Sequence, residues 1–310
     1  MELSLTIPRD DFDIDSLSAA ADRFMELVPD HEHVRINVTT NFVEAVRAAV
    51  DDPEYAAAYE QDREFGFAAA KTITQSDGSI DLIVEAGLFS HDANPDDALQ
   101  AFEHEAMHIV MRDRDESLSD LRLRRGEGLD TAAGTWSGIC GVACEEYRVE
   151  RAIWSIHPEA RDDSHRGGFE RLLCRFDDAV RAASIQYQRD LDVSAISKTV
   201  TEAFHALCTS TAYVAAELDA DPSRDVDVDR DLDERLLGEP WRAVVTALQQ
   251  LPPADTPASR EELERVAEGV KTVLAEWFRH IGFALTDEPD GGLHFAVLNP
   301  EQWVSWSDLL

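Results

Sequence analysis

The sequence predicts an α+β protein: an N-terminal part with a small mixed sheet and a motif helix, followed by a mostly helical C-terminal region. Three observations carry this. Within the first hundred residues, runs that alternate apolar and polar side chains are interleaved with runs of helical spacing. Two of the alternating runs flank Ser76-Asp77-Gly78, where glycine can take the positive φ that a short turn requires. From about Gly141 onward nearly every long segment follows the 3.6-residue period. Hydrophobic residues make up 44% of the chain, which is enough to build a packed core despite the charge.

Taken in order, Glu2 to Ile7 reads as a strand, Leu17 to Val28 as a helix and His33 to Thr39 as a second strand. Asn41 stands where an N-cap is expected, before a helix carrying Phe42, Val43, Val46 and Val50. Residues 68–75 and 79–86 form the predicted hairpin, and its second arm leads through Asn94-Pro95 into a helix near residues 96–111. Helices are then expected over 141–157, 168–189, 193–218, 234–250 and 260–284, the last opened by Ser259-Arg260-Glu261-Glu262 as a capping box. Two runs around Pro289-Asp290-Gly291-Gly292 suggest a terminal hairpin. Arg112 to Thr135 and Asp219 to Asp233 read as loops, rich in Asp, Arg, Gly and Ser. At 310 residues the chain reaches the size where one core stops growing, so it divides into a core of residues 1–157 and a helical region of residues 158–310.

The charge excludes several functions. With 63 Asp+Glu against 28 Lys+Arg, the formal charge is −35, and only Lys71, Lys198 and Lys271 are lysines. Such a surface repels phosphate backbones and anionic headgroups, and no basic patch offsets it, so neither nucleic acid nor membrane is an expected partner. No segment approaches the 18 apolar residues of a membrane span, and the first residues lack the pattern of a secretory signal. Cys140, Cys144, Cys174 and Cys208 fall in helical segments and read as reduced thiols, in keeping with a cytoplasmic location.

The chemistry concentrates in Phe102-Glu103-His104-Glu105-Ala106-Met107-His108-Ile109-Val110. On a helix, positions i and i+4 lie on one face, so His104 and His108 can direct imidazole nitrogens at one ion. Glu105, rotated by roughly 100°, misses the ion and reaches a water beside it. Phe102, Ala106, Ile109 and Val110 make this a half-buried helix. A third ligand is needed. In 142–156 an apolar stripe of Val142, Val149, Ile153 and Ile156 is interrupted by Glu146, and a carboxylate on an apolar face needs a partner or a metal. Glu146 is therefore the preferred ligand, with Glu145 as the alternative. Glu150, one turn on, could orient a ligating histidine or pair with Arg148 or Arg151. Tyr147, His157 and His165 are candidate donors to an oxyanion, and spacing selects none of them.

These residues resemble the zincin metallopeptidases, in particular the gluzincin branch. The resemblance covers roughly residues 68–157: a strand over Ile80 to Glu85, a helix with His104-Glu105-x-x-His108, and a later helix with Glu146. It implies Zn2+ held by His104, His108 and Glu146, with Glu105 as general base and an extended peptide or protein substrate lying along residues near 80–86. The chain departs from the family in carrying Glu150 where an aspartate is frequent. The third histidine of metzincins is absent, Arg112, Asp113 and Arg114 occupying the near positions. The expected activity is metal-dependent peptide hydrolysis. The alternative from another class is a degenerate zincin that holds zinc and serves as a binding or regulatory module.

Overall fold

A computed structural model describes residues 2–6, 12–51, 53–59, 62–63, 66–67, 69–128, 130–157, 164–223, 226, 228, 230–288 and 292–304. The fold is α+β, with a small mixed sheet and a largely helical C-terminal part. It comprises two compact units, Met1–Arg114 and Asp115–Leu310. The division expected at residue 157 follows the change of sequence periodicity, whereas these units follow the density of packing.

The first unit contains β1 (Glu2–Thr6), α1 (Ile14–Leu27), β2 (Val34–Thr39), α2 (Phe42–Ala49), α3 (Pro53–Ala58), β3 (Asp62–Arg63), β4 (Gly66–Phe67), β5 (Ala70–Thr74), β6 (Ile80–Glu85) and α4 (Pro95–Asp113). Strand order in the main sheet is β1-β2-β6-β5, with β1, β2 and β6 parallel and β5 antiparallel to β6. The hairpin forms where the sequence places it, and Gly78 takes φ +85. Period two sorts the sheet faces. Ile80, Leu82 and Val84 pack with Val34, Ile36 and Val38 against α1 and α4, through Leu17, Phe24, Phe102, Ala106 and Ile109. Ile83, one residue out of phase, joins Phe42, Val46 and Tyr59 on the opposite face. Burying each such side chain contributes about 1.5–3 kcal/mol. One expectation changes: β6 lies between β2 and β5, so residues 80–85 are interior and the exposed edge beside α4 is β5. The cause is the hairpin, whose first arm covers the free side of β6. Asn41 stands at the N-cap of α2, but its side chain makes no capping bond; instead its backbone N–H donates to Thr39 Oγ1 at 3.0 Å.

The second unit contains α5 (Leu121–Arg124), α6 (Ala132–Ile156), α7 (Ser164–Asp190), α8 (Val193–Ala220), α9 (Arg230–Leu232), a π-turn over Asp233–Leu237, α10 (Gly238–Leu248), α11 (Arg260–His280) and the antiparallel pair β7 (Phe283–Asp287) and β8 (Leu293–Val297). The terminal hairpin is therefore real, and Ser259 accepts from the Glu262 N–H as the N-cap of α11. The loop reading of Arg112 to Thr135 is corrected, because α4 runs to Asp113, α5 interrupts the segment and α6 begins nine residues before Gly141. Glycines masked that helix. A Cβ on Gly134 would lie 1.9 Å from Gly128 O, and one on Gly141 would lie 2.2 Å from Leu118 O, so these glycines admit neighbouring backbone rather than mark a turn. The Asp219–Asp233 loop is shortened by α8 at one end and α9 at the other, and Arg224, Asp225, Asp227 and Asp229 lie outside the described residues. All four cysteines are free; Cys140, Cys144 and Cys208 are buried, whereas Cys174 is exposed on the outer face of α7. Among the described residues, no helix is long and apolar enough to cross a membrane.

The segment before α5 is tied down by a buried ion pair. Arg148 Nη2 donates to Glu116 Oε2 at 2.7 Å, with 0% and 3% of the two side chains exposed. Arg148 Nε reaches Pro252 O at 3.0 Å, and the Ala258 N–H donates to Glu116 Oε1 at 3.1 Å. Removing one partner of such a pair strands the other charge out of water. Arg148→Met is expected to lower the unfolding free energy by about 3–5 kcal/mol in urea titrations. The double variant Glu116→Leu/Arg148→Met should recover most of that loss, since no unpaired charge remains. A single variant as stable as the parent would show that the pair does not hold this segment.

Candidate metal centre

The motif helix α4 starts where its sequence dictates: Asn94 Oδ1 accepts from the Asp96 N–H, Pro95 opens the first turn, and Asp96 and Asp97 complement the helix dipole. Phe102, Ala106, Ile109 and Val110 bury one face against the sheet, as their spacing predicts. Glu103 is fully buried beside them and accepts from Arg23 Nε of α1 at 2.8 Å, which holds the guanidinium more firmly protonated. The histidine face is thereby turned away from the sheet core.

His104 and His108 are half-buried, and their Nε2 atoms lie 3.2 Å apart with ring centroids at 4.9 Å. This spacing matches what one ion demands. Two donors at about 2.0–2.1 Å from a tetrahedral zinc stand about 3.3–3.4 Å from each other. In the absence of a metal, the same spacing permits one neutral imidazole to donate to the other.

Glu105 is buried to 8% exposure, and its Oε2 accepts from Thr72 Oγ1 at 2.5 Å. Thr72 belongs to the edge strand β5, opposite Leu82. Alternation brings Thr72 and Thr74 to the α4 face, where Thr74 Oγ1 accepts from Arg112 Nη1 at 2.9 Å, while Ile73 packs on the other side of the sheet. Sequence reading missed Thr72. The signal existed in the hairpin register, but the phase of β5 relative to α4 is tertiary.

In the second unit, α6 separates the two glutamates that the sequence left as alternatives. Glu145 is buried, and its Oε2 accepts from Ser117 Oγ at 2.7 Å and from the N–H groups of Leu118 and Ser119, both at 2.8 Å. This carboxylate closes the turn before α5. Glu146 is half-buried, and its Oε2 accepts from Tyr213 Oη of α8 at 3.1 Å. Tyr213 is the other residue missed from sequence. Glu150 is buried. Of the two arginines near it, Arg148 pairs with Glu116 and Arg151 with Asp219.

Of the three candidate oxyanion donors, Tyr147 is fully buried and donates to Asp219 Oδ2 at 3.2 Å. Burial, reinforced by Asp219, pushes its phenol well above the usual tyrosine range. Its hydroxyl is thus engaged in packing α6 against α8. His157 is the half-buried C-cap residue of α6. His165 lies in the first turn of α7, and its side chain is outside the described residues.

Glu145→Ala is expected to cost about 2–3 kcal/mol of stability, because it leaves buried donors of the 117–119 turn without their acceptor. Ser117→Ala, which removes one of the three donors, should cost less, about 1 kcal/mol. Denaturant unfolding checks both, and a neutral Glu145→Ala would reopen Glu145 as a ligand. No protein-family model, curated protein or solved structure matches this chain.

Proposed function

We propose that the chain is a zinc-dependent metallopeptidase with a zincin-like, gluzincin-type centre, in which His104, His108 and Glu146 hold the ion and Glu105 is the general base. The observation that carries this reading is the pair of imidazole nitrogens 3.2 Å apart on the half-buried face of α4. Glu146 adds a carboxylate, and two imidazoles with one carboxylate make a donor set of the type that binds zinc. The commitment of Glu145 to the 117–119 turn favours Glu146 as the third ligand.

A zinc ion bound there supplies Lewis acidity and lowers the pKa of a coordinated water towards about 7. The chain does the rest. Glu105 accepts a proton from the attacking water and returns it to the leaving amine. Thr72 donates to one carboxylate oxygen and so sets the plane of the base. Strand β5, at the edge of the main sheet, is where an extended peptide would pair by strand addition. The charge of −35 favours basic or neutral peptides or proteins as substrates over nucleic acid, and the site is read as working in the cytoplasm.

Elemental analysis of the purified chain, combined with a broad peptide-cleavage screen, tests the proposal. One zinc per chain is expected, lost in His104→Ala, His108→Ala and Glu146→Gln but kept in Glu145→Gln. Glu105→Gln should retain zinc and lose at least about 100-fold in cleavage rate. Full activity in that variant, or the absence of stoichiometric metal in the parent, would sink the assignment. Zinc without cleavage of any peptide would favour the binding-module alternative.

A further inference from the structure

We propose that Tyr213 is the positioning residue of the third metal ligand: its phenol holds the Glu146 carboxylate in the orientation that ligation requires. The inference rests on the reading of Glu146 as a ligand. Its observation is the hydrogen bond from Tyr213 Oη to Glu146 Oε2 at 3.1 Å, between half-buried side chains on α8 and α6.

The two helices run side by side in the same direction, and separate contacts fix their register. Towards their N-termini, Trp136 and Phe204 meet edge to face with centroids 6.2 Å apart. Towards their C-termini, Tyr147 and Arg151 both bind Asp219. From Trp136 to Glu146 is about 15 Å along α6, and from Phe204 to Tyr213 about 13.5 Å along α8, at 1.5 Å per residue. The anchored register therefore delivers the phenol to the height of Glu146. Val214 and Ala215 beside Tyr213 are buried, so α8 is held firmly at this point.

What the hydroxyl adds is orientation. The last torsion of a glutamate is broad and nearly two-fold, so a carboxylate without an outer partner samples many settings. A phenol donating to one oxygen removes that freedom and leaves the group set for one-oxygen ligation. Outer partners of this kind are worth about 10- to 100-fold in metal affinity. Phenylalanine at 213 would keep the ring's packing and lose only the donor, which makes the hydroxyl separable from the fold.

The test uses the full chain, with Zn2+ affinity measured by chelator competition and Co2+ absorption as a probe of ligand geometry. Tyr213→Phe should bind zinc about 10- to 100-fold more weakly and alter the cobalt spectrum, with the urea midpoint of the metal-free chain close to the parent's. Tyr147→Phe breaks another α6–α8 hydrogen bond without touching Glu146, and should bind zinc as the parent does. Parental affinity and spectrum in Tyr213→Phe, or equal weakening in Tyr147→Phe, would overturn the proposal while leaving Glu146 as ligand. A parent chain that binds no zinc, or a Glu146→Gln variant that binds it as tightly as the parent, would overturn the ligand reading and this inference together.

Discussion

Charges taken out of water on a single helix constrain the second unit. Along α6, Glu145, Arg148 and Glu150 are buried, and Glu146 and Arg151 are half-buried. An uncompensated charge in such surroundings costs several kcal/mol, so each demands a partner at a particular angle around the helix. Glu145 takes the 117–119 turn, Arg148 takes Glu116 and Pro252 O, Arg151 takes Asp219 and Glu146 takes Tyr213. These partners come from segments far apart in the chain. Rotating α6 by one residue, about 100°, would strand all of them at once. The direction in which Glu146 points is therefore set by the needs of its charged neighbours.

The first unit is governed differently. Apolar packing of Phe102, Ala106 and Ile109 beneath the sheet chooses the buried face of α4, and the histidine pair lies on what remains. Glu103 has no apolar role, yet it is fully buried and bound to Arg23, so α1 and α4 are tied by charge as well as by packing. Thr72 then couples the Glu105 carboxylate to the sheet. It sits on β5, the outer strand of the main sheet's described order, so its bond ties Glu105 to that strand. Sheet register and the orientation of the Glu105 carboxylate are in this way one structural fact.

Local periodicity made much of the fold readable. The hairpin around Gly78, the helix that follows Asn94-Pro95 and the capping serine at 259 follow from residues a few positions apart, and they lie where the sequence places them. The failures share a cause. Gly134 and Gly141 look like breakers, but each serves a close backbone approach by a segment that the sequence alone does not position. Strand β6 looks like the free edge until β5 folds back over it.

The sequence by itself determined the ingredients of the candidate centre. Helical spacing sets His104 and His108 on one face and Glu105 off it, because 3.6 residues per turn is a local property of the backbone. An acidic residue on the apolar stripe of 142–156 marked α6 as the source of a buried carboxylate. Tertiary structure decided which carboxylate was already committed and which groups attend the others. Ser117 lies 28 residues before Glu145, Thr72 lies 33 before Glu105, and Tyr213 lies 67 after Glu146. No local period links positions so far apart; only the packing of helix on helix and strand on helix brings their hydroxyls to those oxygens.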